Sequence, residues 1–477
     1  MRDNGFVNPP PREIATEIVA TLQHNGFAAF WVGGCVRDFL LGREPQDFDI
    51  ATDAKPEAVE RLFPKTIPVG RKFGVVIVVE GGLQFQVATF RAEADYQDGR
   101  RPEKVEFANA EADALRRDFT VNGLFYDPLT EKIHDWVGGE TDLRAKIIRT
   151  IGMPVERFGE DHLRLLRAVR FAARLNFEIA PETFAAIQTL APKIKLISAE
   201  RVRDELVKLF APPTFVAAGG ASVPASREPT LADQARLVSS LAPPASAARG
   251  LDLLRASGLL EHVLPELTAT VHCEQSPDFH PEGSVFNHIR LMLEKLPADA
   301  DPLLPWAVLL HDIAKPVTAE KDLATGKIHF YGHEKIGAEM AEAILRRLKF
   351  SNDEIAVVVA AVRHHMQFKD VTLMRKATLR RMLLRPTFPL ELALHRLDCL
   401  GAHGDLAHYD FCLAAAEELK NQPEILPPLL TGDDLLALGI PRGKKIGELL
   451  HELRDRQLAE EIKTADEARA WVKRMLD

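Results

Sequence analysis

The chain has 477 residues, 46% of them hydrophobic, and a formal net charge of −9 at neutral pH. That length exceeds one compact core and suggests about three domains, while the negative balance argues against a protein that coats nucleic acid non-specifically. No run of roughly eighteen apolar residues marks a membrane span, no apolar segment behind a basic start marks a secretory signal, and the scattered Cys35, Cys273, Cys399 and Cys412, with no C-x-x-C pair, fit a reducing cytoplasm.

Residues 12–24 read as a helix with Ile14, Ile18, Val19 and Leu22 on one face, and FAAFWV follows as a short strand. Gly33-Gly34 ends that strand and opens a helix near Cys35. Backbone N–H groups at a helix start form an anion site, and glycine lets a phosphate come close. Arg37, one turn in, adds a cation suited to a triphosphate. DFDIAT, Asp47 to Thr52, is predicted as a strand that sends Asp47 and Asp49 to one side and Phe48 and Ile50 to the core. Two carboxylates so spaced can share Mg2+ ions about 3.5–4 Å apart, as nucleotidyl transfer requires. In FGVVIVVEGGLQFQVATF, two apolar runs flank Gly81-Gly82 and predict a hairpin.

From Glu156 onward strand signals fade and amphipathic helices dominate. Between Arg144 and Arg174 eight Lys or Arg stand against three acids, a stretch that either meets a polyanion or simply solvates helix faces. EDHLRLLRAVRFAARLNF reads as one helix with Asp161 and Arg164 one turn apart on the same face, an acceptor beside a fork of donors. Cytosine and adenine each put an amino donor beside a ring acceptor, whereas uracil and guanine reverse that order. One Asp–Arg pair can therefore accept CTP and ATP and refuse UTP and GTP, at about 1–3 kcal/mol per mispaired edge. Arg167 and Arg170 continue the face, within reach of phosphates or the base. Residues 211–248, dense in Pro, Ala, Gly and Ser, hold no period and read as a loop-like insertion; helices resume at Leu251.

A second constellation lies further on. FNHIRLML supplies His288, AVLLHDIAKP supplies His311-Asp312, and HRLDCLGAHG supplies Asp398. Imidazole and carboxylate together suit a divalent transition ion or Mg2+ that polarises a phosphate and activates water. His333 and His364-His365 are candidates to complete a two-metal site.

WVGGCVRDFLLGREPQDFDIAT resembles the signature of the DNA polymerase β-like nucleotidyltransferases. More narrowly, G-G-x-V-R-D-x-L-L-G followed by D-x-D-I-x-T is similar to the class II CCA tRNA nucleotidyltransferase and bacterial poly(A) polymerase family. DYQDGRRP (Asp95 to Pro102) resembles that family's flexible loop, RRDFTVNGLFYDP (Arg116 to Pro128) its ribose-recognition motif, and EDHLRLLRAVRFAARLNF (Glu160 to Phe177) its nucleobase-selecting motif. The resemblance implies an α+β fold: a polymerase β-like head with a mixed or antiparallel sheet, then an all-α neck and body and an all-α HD domain. It implies Asp47 and Asp49 as catalytic Mg2+ ligands. Gly33, Gly34, Arg37, Arg117, Asp161, Arg164, Arg167 and Arg170 become nucleotide contacts, with Arg117 at the triphosphate. Asp118 and Asn122 are candidates for ribose hydroxyl contacts, Asn122 equally for a turn cap before Gly123. Related polymerases often add a third carboxylate from a neighbouring strand, where FQVATFR has Gln86.

The second set, with HPEGSVFNH before it, resembles the HD phosphohydrolase superfamily, which implies His288, His311, Asp312 and Asp398 as metal ligands. In such fusions the HD domain acts as a phosphatase or 2′,3′-cyclic phosphodiesterase on nucleotide ends. The expected domains are a catalytic head (1–145), a nucleobase-selecting, RNA-binding neck (146–210), an insertion or linker (211–250), an HD domain (251–425) and a helical tail (426–477). The implied function is template-independent addition of CCA to tRNA from CTP and ATP in the cytoplasm, with no membrane and no obligate protein partner. An A-adding enzyme, a poly(A) polymerase, or an HD phosphohydrolase with an RNA-binding head are the alternatives.

Overall fold

The computed structural model describes residues 9–45, 47–68, 71, 74–92, 106–212, 245–276, 280–325, 327–420 and 428–475. Two compact units divide the chain: Met1–Val271 with Leu293–Pro305 and Arg347–Phe350, and His272–Met292 with Trp306–Arg346 and Ser351–Asp477.

The first unit opens with α1 (Pro11–His24). Pro11 starts it with a preset φ, and Ile14, Ile18, Val19 and Leu22 form its buried stripe as the spacing predicts. Then come β1 (Ala29–Val32), α2 (Gly34–Leu40), β2 (Asp49–Thr52), α3 (Pro56–Leu62), β3 (Thr66–Ile67), β4 (Val75–Glu80) and β5 (Leu83–Thr89). The predicted hairpin is β4–β5, closed at Glu80↔Leu83. Gly81 (φ 57°) and Gly82 (φ 79°) take the left-handed conformation that a two-residue loop needs. After β6 (Arg91–Ala92), β7 (Glu106–Phe107) and α4 (Ala110–Leu115), β8 (Phe125–Asp127) and β9 (Lys132–His134) complete a seven-stranded sheet in the order β3-β4-β5-β2-β1-β8-β9. Only β2 and β5 run parallel within it, so the sheet is mixed, as expected. Its core packs Phe90 and Phe125 on one side and Trp31, Phe39, Phe48 and Tyr126 as a ring cluster.

Helices then take over: α5 (Gly139–Ala145), α6 (Pro154–Glu160), α7 (Leu163–Leu175), α8 (Pro181–Leu190), α9 (Ala199–Phe210) and α10 (Ser246–Ala256), with the short parallel pair β10 (Ile147–Ile148) and β11 (Glu178–Ile179) among them. Two expectations need correction. EDHLRLLRAVRFAARLNF is not one helix: Asp161 is extended (φ −148°, ψ 104°), and its Oδ1 accepts the Leu163 N–H at 3.0 Å, so the side chain starts a new helix rather than continuing the old one. Helix also resumes at Ser246, not Leu251. The loop DYQDGRRP and residues 213–244 of the insertion lie outside the described residues.

The second unit is almost wholly helical, including His333–Arg347, Asn352–His364, Phe388–Gly401 and Ala407–Lys420. The tail has its own core of Leu435, Ile440, Leu449, Leu453, Trp471 and Val472, and capping boxes at Thr431/Asp434 and Thr464/Glu467 start two of its helices. Among the described residues no helix is long and apolar enough to cross a membrane.

Candidate active site

In the head, the strand predicted over Asp47–Thr52 begins only at Asp49, two residues later, yet the alternation persists. Phe48 and Ile50 are buried while Asp47 and Asp49 are exposed on the other side. The surrounding protein raises both carboxyls above their usual range. The charge of Asp49 raises Asp47 further, and Arg117 pulls against the rise at Asp49. An under-compensated acidic pair of this kind is a donor set that fits a divalent cation. Gln86 is the register partner of Asp49 on parallel β5, and it is exposed there, so the third position offers an amide rather than a charge.

Two arginines pack at the turn before α2, and one of them, Arg117, acts on Asp49. Gly33 has φ 74°, and a Cβ there would stand 2.9 Å from Arg117 Nη1, so glycine makes room for that guanidinium. Arg117 donates through Nε and Nη2 to Asp113 Oδ2 at 3.2 and 3.0 Å. Arg37 is buried, and its Nε and Nη2 donate to Asp38 at 2.9 and 3.0 Å while Nη1 donates to Asn122 Oδ1 at 2.6 Å. It orders the turn; it does not project toward solvent as a free triphosphate cation.

Asp118 and Asn122 are buried too. Asn122 donates to Asp118 Oδ1 at 3.1 Å, and Asp118 Oδ2 accepts from Arg167 Nε at 2.8 Å and lies 2.6 Å from its Nη2. Burial alone would raise the Asp118 carboxyl; Arg167 and Asn122 hold it below the usual range. Arg170, expected near phosphates or base, is buried with Nε 2.6 Å from Glu205 Oε2, and Glu205 Oε1 also faces Arg167 at 3.7 Å. A continuous polar chain thus runs Asp38–Arg37–Asn122–Asp118–Arg167–Glu205–Arg170 from α2 to α7 and α9.

Asp161 and Arg164 do not stand side by side on one helix. Asp161 Oδ2 accepts from Arg201 Nη2 at 2.7 Å, and Arg164 pairs with Glu160 and donates to the Arg157 carbonyl at 2.8 Å. Both remain partly exposed beside the break between α6 and α7. The basic stretch is likewise no surface stripe. Arg157, Arg170 and Arg174 are buried, held by the Leu115 carbonyl, Glu205 and the Ala211 carbonyl respectively, while Arg144 and Lys146 stay exposed. Sequence reading missed Asp38, Asp113, Glu160, Arg201 and Glu205. The spacing of Asp113 to Arg116 and Arg117, and of Glu160 to Arg164, marks helical ion pairs and was a usable signal.

In the second unit, His288, His311, Asp312, His333 and His365 are buried, with Asp398 beside them. His288 Nε2 lies 3.0 Å from Asp398 Oδ1. His311, His333 and His365 each donate Nδ1–H to the carbonyl three residues back (Val308, Phe330 and Val362 at 2.9, 2.7 and 2.6 Å). Their Nε2 atoms therefore point inward, His333 Nε2 sharing a 3.1 Å hydrogen bond with His365 Nε2, the two lying 3.4 and 3.8 Å from Asp312 Oδ1, whose charge, although burial opposes it, raises His333. His311 Nε2 and Asp312 Oδ1 are buried and make no hydrogen bond among the described residues. Burial pushes His365 down to about 3, which keeps it neutral, and although burial opposes it, His311 and Lys315 hold Asp312 well below the carboxylate range. Among the described residues three donor groups have the spacing of a metal site, His280/Glu282/His288, His288/His311/Asp398 and Asp312/His333/His365, and the last two, built from the expected ligands, fit two divalent ions. Of the expected His364-His365 pair only His365 faces the cluster, since His364 turns to Glu391 at 3.2 Å.

Known proteins resemble the chain in the same order. Residues 29–149 match the poly A polymerase head domain, 176–218 the "Probable RNA and SrmB- binding site of polymerase A", and 283–402 the HD domain. A CCA-adding enzyme of Geobacillus kaustophilus is 48% identical over 209 residues (44% of this chain, 51% of that one), and one of Staphylococcus aureus is 46% identical over 199 residues (42% and 50%). The chain thus spans about half the length of these curated relatives. Across 98% of both chains, the structure of the Bacillus stearothermophilus CCA-adding enzyme in complex with CTP superimposes with a TM-score of 0.68 at 27% identity.

Proposed function

We propose, from the consecutive matches to the poly A polymerase head, an RNA-binding segment and an HD domain, that the chain is a tRNA nucleotidyltransferase that adds the terminal CCA from CTP and ATP without a template. The observation that carries this is the exposed Asp47/Asp49 pair at the start of β2, with Arg117, packed at the Gly33-Gly34 turn, acting on Asp49. Asp47 and Asp49 would hold Mg2+, which when bound supplies activation of the tRNA 3′-hydroxyl and neutralises the leaving pyrophosphate. Arg117, aimed by Asp113 across Gly33, meets the triphosphate. The Arg37–Asn122–Asp118–Arg167 chain keeps the turn and α7 in fixed relation. Asp161 and Arg164 read the base edge once Arg201 and Glu160 give up part of their hold, each supplying one half of the donor–acceptor pattern shared by cytosine and adenine. Shape and phosphate contacts hold the tRNA, and four buried free cysteines accord with work in the cytoplasm.

The test offers tRNAs ending at the discriminator base, after one C, or after two, with each nucleoside triphosphate alone. C, C and A incorporation that then stops supports the proposal. A added only after two C residues makes it an A-adding enzyme, and unlimited A on any RNA makes it a poly(A) polymerase. The mixed charge of the tail LRDRQLAEEIKTADEARAWVKRMLD and the intact HD set weigh against the last.

A second activity is favoured by the inward Nε2 atoms of the second unit. His288, His311 and Asp398 would hold one divalent ion and Asp312, His333 and His365 another, supplying a metal-bound water for hydrolysis of a phosphate ester at nucleotide ends.

A further inference from the structure

Beyond the two donor groups, the second unit contains a carboxylate that the hydrolase reading leaves without a task. We propose that Glu282, with His280 behind it, is the positioning residue that fixes the His288 ring for metal binding; this rests on the metal-dependent reading of the HD centre. Glu282 Oε1 lies 2.7 Å from His288 Nδ1 and 2.8 Å from His280 Nδ1. The Glu282 side chain is only 6% exposed, and its Oε2 is buried with no hydrogen-bond partner among the described residues. A buried carboxylate held in this way is costly unless it serves a neighbour.

His288 differs from the other histidines of the centre in what orients it. His311, His333 and His365 lean on backbone carbonyls, which are neutral. At His288 the Glu282 carboxylate stands 2.7 Å from Nδ1 as a charge partner rather than in hydrogen-bond geometry, and Nε2 faces Asp398. A carboxylate behind a ligating imidazole fixes the ring and its tautomer and makes the far nitrogen a stronger donor than a carbonyl does.

The local chain is built to hold this carboxylate still. Gly283, at φ 89°, turns the backbone, its N–H donating to the His280 carbonyl at 3.1 Å, and Asn287 Nδ2 donates to the Glu282 carbonyl at 3.2 Å. His280 stands edge-on to His288 with ring centroids 4.8 Å apart, its Nδ1 2.8 Å from the same Glu282 oxygen. HPEGSVFNH is thereby a structural unit in which His280 and Glu282 serve His288.

Calorimetric titration of the metal-stripped full-length protein with Mn2+ tests the proposal, with Asp312→Ala as the control that damages the centre. Glu282→Ala is expected to weaken one binding step about 10–100-fold and leave the step at Asp312, His333 and His365 unchanged. Glu282→Gln, which keeps an acceptor oxygen but no charge, should recover part of that loss. His280→Ala should weaken the same step by less than Glu282→Ala does. A structural collapse would move both steps, so selective weakening in the isosteric Glu282→Gln identifies positioning. Wild-type affinity in Glu282→Gln and Glu282→Ala, or equal weakening of both steps, overturns the role of Glu282 alone. Wild-type protein that takes up no more Mn2+ than Asp312→Ala overturns the metal reading itself, and the role of Glu282 with it.

Discussion

Asp113→Ala tests whether Arg117 acts only where it is aimed. Asp113 is 1% exposed. Its Oδ1 accepts Nε and Nη2 of Arg116 at 2.9 and 2.6 Å and the Arg91 N–H at 3.1 Å, and its Oδ2 accepts Nε and Nη2 of Arg117 at 3.2 and 3.0 Å. Burial would raise this carboxyl, but Arg117 and Arg116 hold it below the usual range. Removing one partner of a fully buried ion pair costs about 3–5 kcal/mol. The two arginines keep roughly a fifth of their side-chain surface, so water recovers part of this and about 2–3 kcal/mol of stability should be lost. Freed from Asp113, Arg117 leaves the space over Gly33. Loss of one charge-assisted phosphate contact, about 1.5–3 kcal/mol, corresponds to a fall of about 10–100-fold in kcat/KM. Thermal melting and single-turnover CTP addition to tRNA lacking CCA measure the two effects, with Asp113→Asn expected between. A destabilised Asp113→Ala protein with wild-type kcat/KM would show that Arg117 reaches the triphosphate unaided and would refute the reasoning.

Asp161→Ala should reduce the preference for CTP over UTP by about 5–150-fold, the equivalent of one mispaired edge, in competition assays on one tRNA end; an unchanged ratio removes Asp161 from base selection. Asp118 is depressed in the folded protein, so its contribution to stability is full above its unfolded value near pH 4 (about 3.9) and is lost as pH falls through the folded value. Melting curves should therefore show Asp118→Asn less stable than wild type at neutral pH and the gap narrowing below about pH 4; a constant gap contradicts the pairing with Arg167. His311→Ala and Asp312→Ala should abolish divalent-ion uptake and phosphodiester hydrolysis in the second unit while leaving CTP and ATP incorporation intact, and equal loss of incorporation would tie that centre to the transferase.

Local pattern was legible and long-range pairing was not. Gly81-Gly82 announced the β4–β5 hairpin, and the D-x-D alternation placed Asp47 and Asp49 opposite Phe48 and Ile50 although the strand begins late. At Asp161 the apolar spacing around Leu163, Leu166 and Val169 invited a continuous helix. A side chain accepting the Leu163 N–H carries no periodic signal, so the break was invisible. Arg167 and Arg170 read as an outward face because their partners are remote: Asp118 is 49 residues from Arg167 and Glu205 is 35 from Arg170. His365 rather than its neighbour joins the second centre because, where the α-helix tightens into a 3-10 helix at His365, its Nδ1 holds the Val362 carbonyl while His364 is held by Glu391.

The most direct test replaces Asp47 and Asp49 together with Asn and supplies CTP and ATP to tRNA ending at the discriminator base. Incorporation should fall by at least about a thousandfold, while His311→Ala protein adds C, C and A and stops. Incorporation that persists in Asp47→Asn/Asp49→Asn protein would contradict the assignment of this pair as the transferase centre.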